Sequence, residues 1–152
     1  MYSERTHQII ARLPKSILVL GLAAFVGTVP VVAQAPENVW AGIFTAEQAA
    51  RGAEAYAASC AGCHGAELRA TDPNAPDLRG PTYNFSWVGS TVGERFARIR
   101  DTMPASAPHS LPDGVYADIV AHILAVNGVP AGDTELPADE AYLDSIAITA
   151  AP

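Results

Sequence analysis

Small and apolar residues recur at three- and four-residue intervals between positions 46 and 60, which is the period of one face of an α-helix. Thr45 precedes this stretch and Gln48 follows three residues later, at the spacing of a capping box. The pattern therefore predicts a helix over 46–59. The small residues on its stripe should let a second helix approach closely; the stripe comprises Ala49, Gly52, Ala53, Tyr56 and Cys60.

Two further helices are predicted downstream by the same kind of signal. A capping pattern formed by Thr91 and Glu94 opens a short helix that extends to about residue 100. A third pattern begins at Ser110, contains a proline in its first turn, and opens a helix that ends at Gly128, a glycine in the C′ position. The apolar stripe of this last helix comprises Val115, Ile119, His122, Ile123 and Val126.

The segments between and after these helices carry loop signals. Residues 67–89 have no helical period and contain three prolines, so they are predicted to form an irregular wrap. A loop of this length is unusual in a domain without a cofactor. From about residue 129 the chain becomes an acidic, proline-containing tail, with a short turn expected at 141–146.

The N-terminal segment has the composition of an export signal. Three basic residues precede an apolar run over 17–32, and small residues follow. Cleavage is expected after Ala33 or Ala35, and the proline just beyond the second site favours the first. Residues 1–33 are therefore predicted to be a signal peptide, which makes the mature domain periplasmic. The alternative is a retained membrane anchor, although the apolar run is slightly short of a spanning helix.

The charge of the predicted mature domain is strongly negative. Residues 34–152 contain six arginines, no lysine and fifteen acidic residues, for a formal charge of −9. This balance excludes nucleic acid as a partner, and it argues against a lysine ring for docking on acidic proteins. The alternative is that the acidic residues form an ordinary solvent-exposed surface with no role in binding.

The run Cys60-Ala61-Gly62-Cys63-His64 carries the most specific chemistry in the chain. Two thiols at this spacing can each form a thioether to a porphyrin vinyl group, and the adjacent imidazole then lies under the iron as the proximal ligand. A redox dithiol, half of a zinc site and a structural disulfide are the alternatives. They fit less well, because no run of β-branched strands surrounds the motif and no second closely spaced pair of ligands exists.

From 45 to 128 the chain resembles the class I c-type cytochromes. The resemblance rests on the order of a capped helix with Gly52 and Tyr56, the Cys-x-x-Cys-His motif, Pro76-Asp77-Leu78, Met103-Pro104 and a terminal helix. It implies an all-α fold of about three to four helices around one covalent haem c. Phe85-Ser86-Trp87 and the tail at 130–133 are also similar to cytochromes associated with quinoprotein alcohol dehydrogenases.

The resemblance also implies the iron ligands. His64 is the proximal ligand, and Met103, the only methionine besides Met1, is the expected sixth ligand. His109 and His122 are the alternative sixth ligands. We favour a packing role for His122, because a histidine on an apolar helix face more often serves packing, and we assign His109 no role.

Further haem contacts are implied by family position. The carbonyl of Pro76 should accept the free N–H of the proximal imidazole, and Leu78 should lie against the porphyrin. Arg79, Tyr83 and Trp87 are the expected donors to the haem propionates. For Tyr83 and Trp87 the alternative is an ordinary role as core aromatics.

These features predict a periplasmic electron-transfer protein rather than an enzyme. It should accept one electron from a dehydrogenase, with a quinoprotein dehydrogenase as the first donor to test, and pass it to a terminal oxidase or another cytochrome. One alternative is a haem enzyme or gas sensor with an open sixth position, and another is a cytochrome subunit docked permanently on a dehydrogenase. Membrane contact is expected only if the N-terminal segment is retained.

Overall fold

The computed structural model describes residues 35–152, and the predicted signal peptide lies outside them. This part of the chain is helical, with isolated bridges from Ala147 to Asn38 and Thr91 and no strand. The all-α prediction is confirmed, although six α-helices replace the expected three to four. After a 3-10 turn at Val39–Ala41 the helices are α1 Ala46–Ser59, α2 Ala61–His64, α3 Pro81–Trp87, α4 Val92–Thr102, α5 Asp113–Val126 and α6 Glu140–Asp144.

The first helix, α1, has the predicted bounds, and it packs along α5. The Thr45 side chain accepts a hydrogen bond from the backbone N–H of Gln48 at 3.0 Å, as the capping pattern requires. The reciprocal half of the capping box is absent. The buried Gln48 amide instead bonds to both backbone groups of Leu136, at 2.9 and 2.7 Å, and so fastens the C-terminal segment to α1.

The contact between α1 and α5 depends on Gly52. A Cβ atom built at this position would lie 1.8 Å from the backbone oxygen of Asp118 and 3.0 Å from the Cβ of His122. The two helix backbones therefore meet where only glycine fits. This confirms the close approach that the small residues predict.

The fourth helix, α4, confirms its predicted capping box in both directions. The Thr91 hydroxyl accepts from the Glu94 backbone N–H at 3.1 Å, and the Glu94 carboxylate accepts from the Thr91 backbone N–H at 3.0 Å. The helix continues to Thr102, about one half-turn beyond the predicted end.

The fifth helix, α5, differs from its prediction at the start and agrees at the end. Pro112 occupies the N-cap position with no side-chain cap, so the predicted cap at Ser110 is wrong. Gly128, with φ of +89°, follows the C-cap Asn127 as a C′ glycine. The predicted apolar stripe is also too narrow, because a helix packed on several sides is apolar nearly all round. Its buried residues are Tyr116, Ala117, Ile119, Val120, Ala121, Ile123 and Leu124.

The predicted irregular wrap over 67–89 is only partly correct, because α3 forms within it. Pro81 occupies the first helical turn, where a missing N–H costs nothing. Tyr83 and Trp87, four residues apart, are buried together with ring centroids 5.1 Å apart. Seven residues are too few to show a helical period, so the sequence pattern does not predict this helix.

The acidic tail is part of the core rather than a loose extension. Asp139 caps α6 by accepting from the Tyr142 backbone N–H at 3.2 Å, and α6 packs against α4 where the expected turn lies. The buried apolar residues of this segment are Val129, Leu136, Leu143, Ile146 and Ile148. Among the helices of 35–152, none has the length and apolar character needed to cross a membrane.

Candidate functional site

A cavity of about 810 Å³ lies between the motif helix α2, α4, and the segment that precedes and includes α3. Ile119 and Ile123 of α5 contribute to its wall. Seven of the nine predicted site residues meet there. They are Cys60, Cys63, His64, Pro76, Leu78, Trp87 and Met103.

The local fold of the motif brings both thiols and the imidazole to this cavity. The first helix ends at Ser59, and α2 adds a single turn in which the Cys60 carbonyl accepts from the N–H groups of Cys63 and His64, at 3.2 and 3.0 Å. Cys60 is half-buried, and burial raises the pKa of its thiol, whereas Cys63 is exposed.

The chain leaves the motif through Gly65, whose φ of +74° favours glycine. A Cβ atom there would also lie 1.9 Å from the backbone oxygen of Arg69. The carbonyl of Gly65 accepts a hydrogen bond from the buried Tyr56 hydroxyl at 2.9 Å. Burial raises the pKa of Tyr56 to about 12, so the phenol keeps the proton that it donates. Tyr56 thus anchors the motif to α1.

The ring of His64 is held in one orientation. Its Nδ1 lies 2.9 Å from the carbonyl oxygen of Pro76, the contact that the resemblance implies. Because a carbonyl only accepts, Nδ1 must carry the proton in this contact. In a neutral ring this leaves the lone pair on Nε2, which makes no hydrogen bond within residues 35–152. This is the tautomer that a metal-binding imidazole requires.

The segment that supplies Pro76 is fastened from both sides. On one side, the Asp77 carboxylate accepts from the Ala70 backbone N–H at 2.7 Å. On the other, the Asn127 side chain donates to the Leu78 carbonyl at 2.9 Å and accepts from the Gly80 N–H at 3.1 Å. Sequence reasoning missed Asn127, because its role depends on a partner 49 residues away.

Met103 is half-buried at the C-cap of α4, and it lines the same cavity as His64. Its backbone carbonyl accepts a hydrogen bond from the Tyr116 hydroxyl at 2.8 Å, and that hydroxyl lies 3.3 Å from the Leu111 backbone N–H. Tyr116 of α5 therefore holds the chain where it leaves α4. The sequence gives only a weak signal for this hydrogen bond, because a tyrosine on an apolar helix is usually interpreted as a core residue.

Two of the predicted site residues, Arg79 and Tyr83, do not line the cavity. Arg79 does not line the cavity, because its guanidinium reaches back to the Glu67 carbonyl at 3.3 Å. Tyr83 is buried in the core against Trp87, and burial raises its pKa to about 12. The alternative role of Tyr83 as a core aromatic is the one that the structure supports.

Neither alternative histidine ligand lines the cavity. His122 packs on the ring of Tyr56 with centroids 5.4 Å apart, and burial lowers its pKa. His109 is exposed, with Nδ1 3.7 Å from a carboxylate oxygen of Asp101. The packing role predicted for His122 agrees with this geometry.

Two arginines that sequence reasoning did not select line the cavity from α4. Arg95 is half-buried, its Nε donates to the Ser90 hydroxyl at 2.8 Å, and Arg98 lies three residues further along the helix. Their spacing in the sequence could have identified them. Arg95, Arg98 and Thr102 lie on one face of α4, and Met103 directly follows Thr102.

The cavity has the donor set that a covalently bound haem requires. It combines two thiols, an imidazole in the metal-binding tautomer and a thioether with an apolar wall. Its volume is in the range of cofactor pockets. The apolar wall comprises Leu78, Trp87, Ile99, Ile119 and Ile123.

Comparison with known proteins agrees with this geometry. Residues 47–123 match the family model described as cytochrome C oxidase, cbb3-type, subunit III. No curated protein or solved structure shows a significant match to the chain. The matched range is just over half of the chain and runs from α1 through the motif and Met103 into α5. The chain therefore belongs to this family of c-type cytochromes, haem-based electron carriers whose cofactor is covalent haem c.

Proposed function

We propose that this cytochrome is a periplasmic one-electron carrier in which His64 and Met103 supply the two axial ligands of the iron. The observation that carries the proposal is the presence of both side chains in one cavity with Cys60 and Cys63. When bound, the haem supplies a ferric–ferrous couple, and no bond of a substrate needs to form or break. The chain's own task is to hold, orient and shield that group.

The environment of His64 supports its role as proximal ligand. The Pro76 carbonyl accepts the hydrogen bond of Nδ1 and so fixes the orientation of the ring, which leaves Nε2 for the iron. Asp77 and Asn127 hold the Pro76 segment on either side, which limits rotation of the ring.

The position of Met103 supports its role as sixth ligand. Its backbone is held by Tyr116, so the thioether stays at the cavity wall without help from the haem. Thioether ligation favours the ferrous state and gives a raised potential. Two protein ligands also leave no open position for small molecules, which favours a carrier over a gas sensor.

The location and partners follow from sequence features. The predicted signal peptide directs the chain to the periplasm, where c-type haem is attached in the bacterial systems implied by the resemblance. The donor to test first is a quinoprotein dehydrogenase, because of the similarity at 85–87 and 130–133. The predicted mature domain has a formal charge of −9 and no lysine, so electrostatic attraction should steer it toward basic patches on its partners.

A second candidate function is a cytochrome subunit that stays docked on a larger enzyme. The family description names a subunit of an oxidase, and that wording favours this candidate. The two functions differ in the lifetime of the complex, because a shuttle must leave after each transfer.

Substitution of Met103 tests the proposed ligation. Met103→Ala should open the sixth position, so the ferric protein gains binding of added imidazole, and Met103→His should give a six-coordinate haem with a lower potential. Visible spectra and redox titrations measure both effects. The controls are His109→Ala and His122→Phe, which should leave the spectrum unchanged. An unchanged spectrum in Met103→Ala would reject Met103 as the sixth ligand. A changed spectrum in one of the control variants would instead identify the histidine substituted in it as that ligand.

The lifetime of the complex tests the shuttle. Reduction by a purified dehydrogenase should slow as ionic strength rises, because salt screens attraction between exposed charges. Gel filtration should separate the two proteins. A complex that survives gel filtration, or rates that are flat or rising with salt, would instead support the docked subunit.

A further inference from the structure

Phe85 is the one large apolar side chain among residues 35–152 that is exposed, at 93% of its full accessibility. Its neighbours in the Phe85-Ser86-Trp87 run have roles inside the molecule, because Ser86 lines the cavity and Trp87 is buried. Packing within the described chain gives no reason for an aromatic ring at position 85. A single exposed apolar residue is ordinary, so its surroundings decide whether it has a function.

The rest of the outward face of α3 is also free of charge. Its residues recur at three- and four-residue spacing and comprise Pro81, Asn84, Phe85 and Val88. The first three are exposed and the last is half-buried. Cβ atoms built at Gly80 and Gly89, at the two ends of the helix, would meet nothing within 4 Å. The described chain therefore leaves this side of α3 open.

Two other segments extend the uncharged surface beside α3. Ala147 forms isolated bridges with Asn38 on one side and with Thr91 on the other. The C-terminal segment therefore lies between two others, and the three together contain no Asp, Glu, Lys, Arg or His. We call their exposed surface the uncharged face, and the three segments are 38–46, 80–93 and 145–152.

Acidic residues border the uncharged face. Glu37 and Glu47 flank the first segment, Glu94 follows the second, and Asp144 precedes the third. All four are exposed. The one cation at a segment boundary is Arg79, which precedes the second segment. An uncharged centre with an acidic rim is complementary to an apolar pocket with a basic rim, because the charges of both partners then stay at the wet edge of the contact.

We propose that the uncharged face is the surface by which the carrier docks on its redox partner protein, with Phe85 inserted into an apolar pocket that basic side chains surround. The inference rests on the proposed function, since it requires electron transfer between proteins. Burial of this face removes no charged side chain from water, whereas docking through an acidic part of the domain would. The ring of Phe85 supplies a large apolar contact area, as the central residues of protein interfaces do.

The position of α3 links the uncharged face to the cavity. Thr82 and Ser86 line the cavity from this helix, and Phe85 lies directly before Ser86 and about one turn after Thr82. A partner that holds Phe85 therefore lies within one helix diameter, about 10 Å, of the cavity wall. Docking at the uncharged face thus brings the partner close to the site where the electron is exchanged.

Substitution of Phe85 in the holoprotein tests the docking surface. Two reactions are followed by visible absorbance, namely reduction by a purified quinoprotein dehydrogenase and oxidation by a detergent extract of the membranes of the source organism. Phe85→Ala should slow one or both on the order of tenfold, because it removes the central contact. Phe85→Asp should slow them further, and Phe85→Trp should stay near the wild type.

Three controls separate docking from other effects. Thr134→Asp adds the same charge as Phe85→Asp at an exposed position outside the uncharged face, and it should leave both rates near the wild type. Reduction by hydroquinone, a small neutral reductant that needs no docking surface, should be equal in all variants. The thermal unfolding midpoint of Phe85→Ala should match the wild type, because the side chain is exposed.

The outcomes separate this surface from the carrier function. Wild-type rates in both reactions for Phe85→Ala and Phe85→Asp would overturn the docking surface and leave the carrier function intact. Equal slowing by Thr134→Asp and Phe85→Asp, with Phe85→Ala unaffected, would also overturn it, since the effect would then belong to net charge. Flotation of the holoprotein with phosphatidylcholine vesicles that is lost in Phe85→Ala would identify lipid as the occupant instead. Wild-type holoprotein that takes part in neither reaction would reject the proposed function.

Discussion

The contact between α1 and α5 and the cavity beside α4 are built on opposite principles. At the first, the backbones meet at Gly52 with no room for one carbon atom. Every buried side-chain nitrogen and oxygen atom of the described chain also has a hydrogen-bond partner. At the second, the residues of the described chain enclose a cavity of about 810 Å³ that is lined by two thiols, a thioether and two arginines. The comparison teaches that the protein completes one region by itself, and that the other is shaped for a group that it must acquire.

The largest expected effect comes from filling the helix contact. Gly52→Leu should destabilise the fold by about 3 kcal/mol, because the new side chain meets backbone of α5 and the helices must separate. Urea unfolding followed by circular dichroism measures the change. The matched control is Gly114→Ala in α5, where a Cβ meets nothing within 4 Å. The control should be neutral or slightly stabilising, and equal effects of the two substitutions would refute the close packing.

The next effect lies where the two regions join. Tyr116→Phe removes the hydroxyl that holds the Met103 carbonyl and the Leu111 N–H, so it should cost about 1–2 kcal/mol. It should also let added imidazole compete more readily for the ferric iron. Tyr142→Phe is the control, because the Tyr142 hydroxyl makes no hydrogen bond within the described chain. If both variants bind imidazole like the wild type, Tyr116 does not position Met103.

A smaller effect should follow from loosening the proximal segment. Asn127→Ala removes the side-chain bonds to the Leu78 carbonyl and Gly80 N–H, and should cost about 1 kcal/mol. Hydrogen exchange should accelerate over 76–80 and remain slow in α1. Asn84→Ala, on an exposed position of α3, controls for loss of an amide. Exchange that accelerates equally in α1 would show that the two regions are not independent.

The smallest effect concerns pH. Burial lowers the pKa of His122 from its ordinary value of 6.5, so the folded protein favours the neutral ring. The stability that the neutral ring contributes is present above that value and is lost as pH falls through the lowered pKa. His122→Phe should therefore lose less stability than the wild type between about pH 8 and pH 5. A stability difference that stays constant with pH would exclude this titration.

Local signals in the sequence predicted the helix ends well, and contacts between distant segments were harder to predict. Thr45 and Thr91 cap their own helices within three residues, so the starts of α1 and α4 are correct. Ser110 fails because Pro112 occupies the N-cap position of α5. The short helices α3 and α6 have too few residues for a period.

The distinction between local signals and long-range contacts also applies to the candidate haem site. The five-residue motif specifies the cofactor locally, and the resemblance supplies Pro76 and Met103. Arg79 was chosen by family position, yet the path of the loop directs it to Glu67 and leaves the cavity wall to Arg95. The path of the loop cannot be predicted from the local sequence, because the path depends on contacts between distant residues, such as the one between Asn127 and Leu78.

Haem retention tests the central claim most directly, namely that the cavity is built around a haem held by Cys60 and Cys63. After denaturation of the purified protein in acid acetone, the haem should remain with the wild-type polypeptide, because each thiol forms one thioether. The variant with both Cys60→Ala and Cys63→Ala should retain none. Haem that extracts freely from the wild-type protein, or stays with the double variant, would contradict the account.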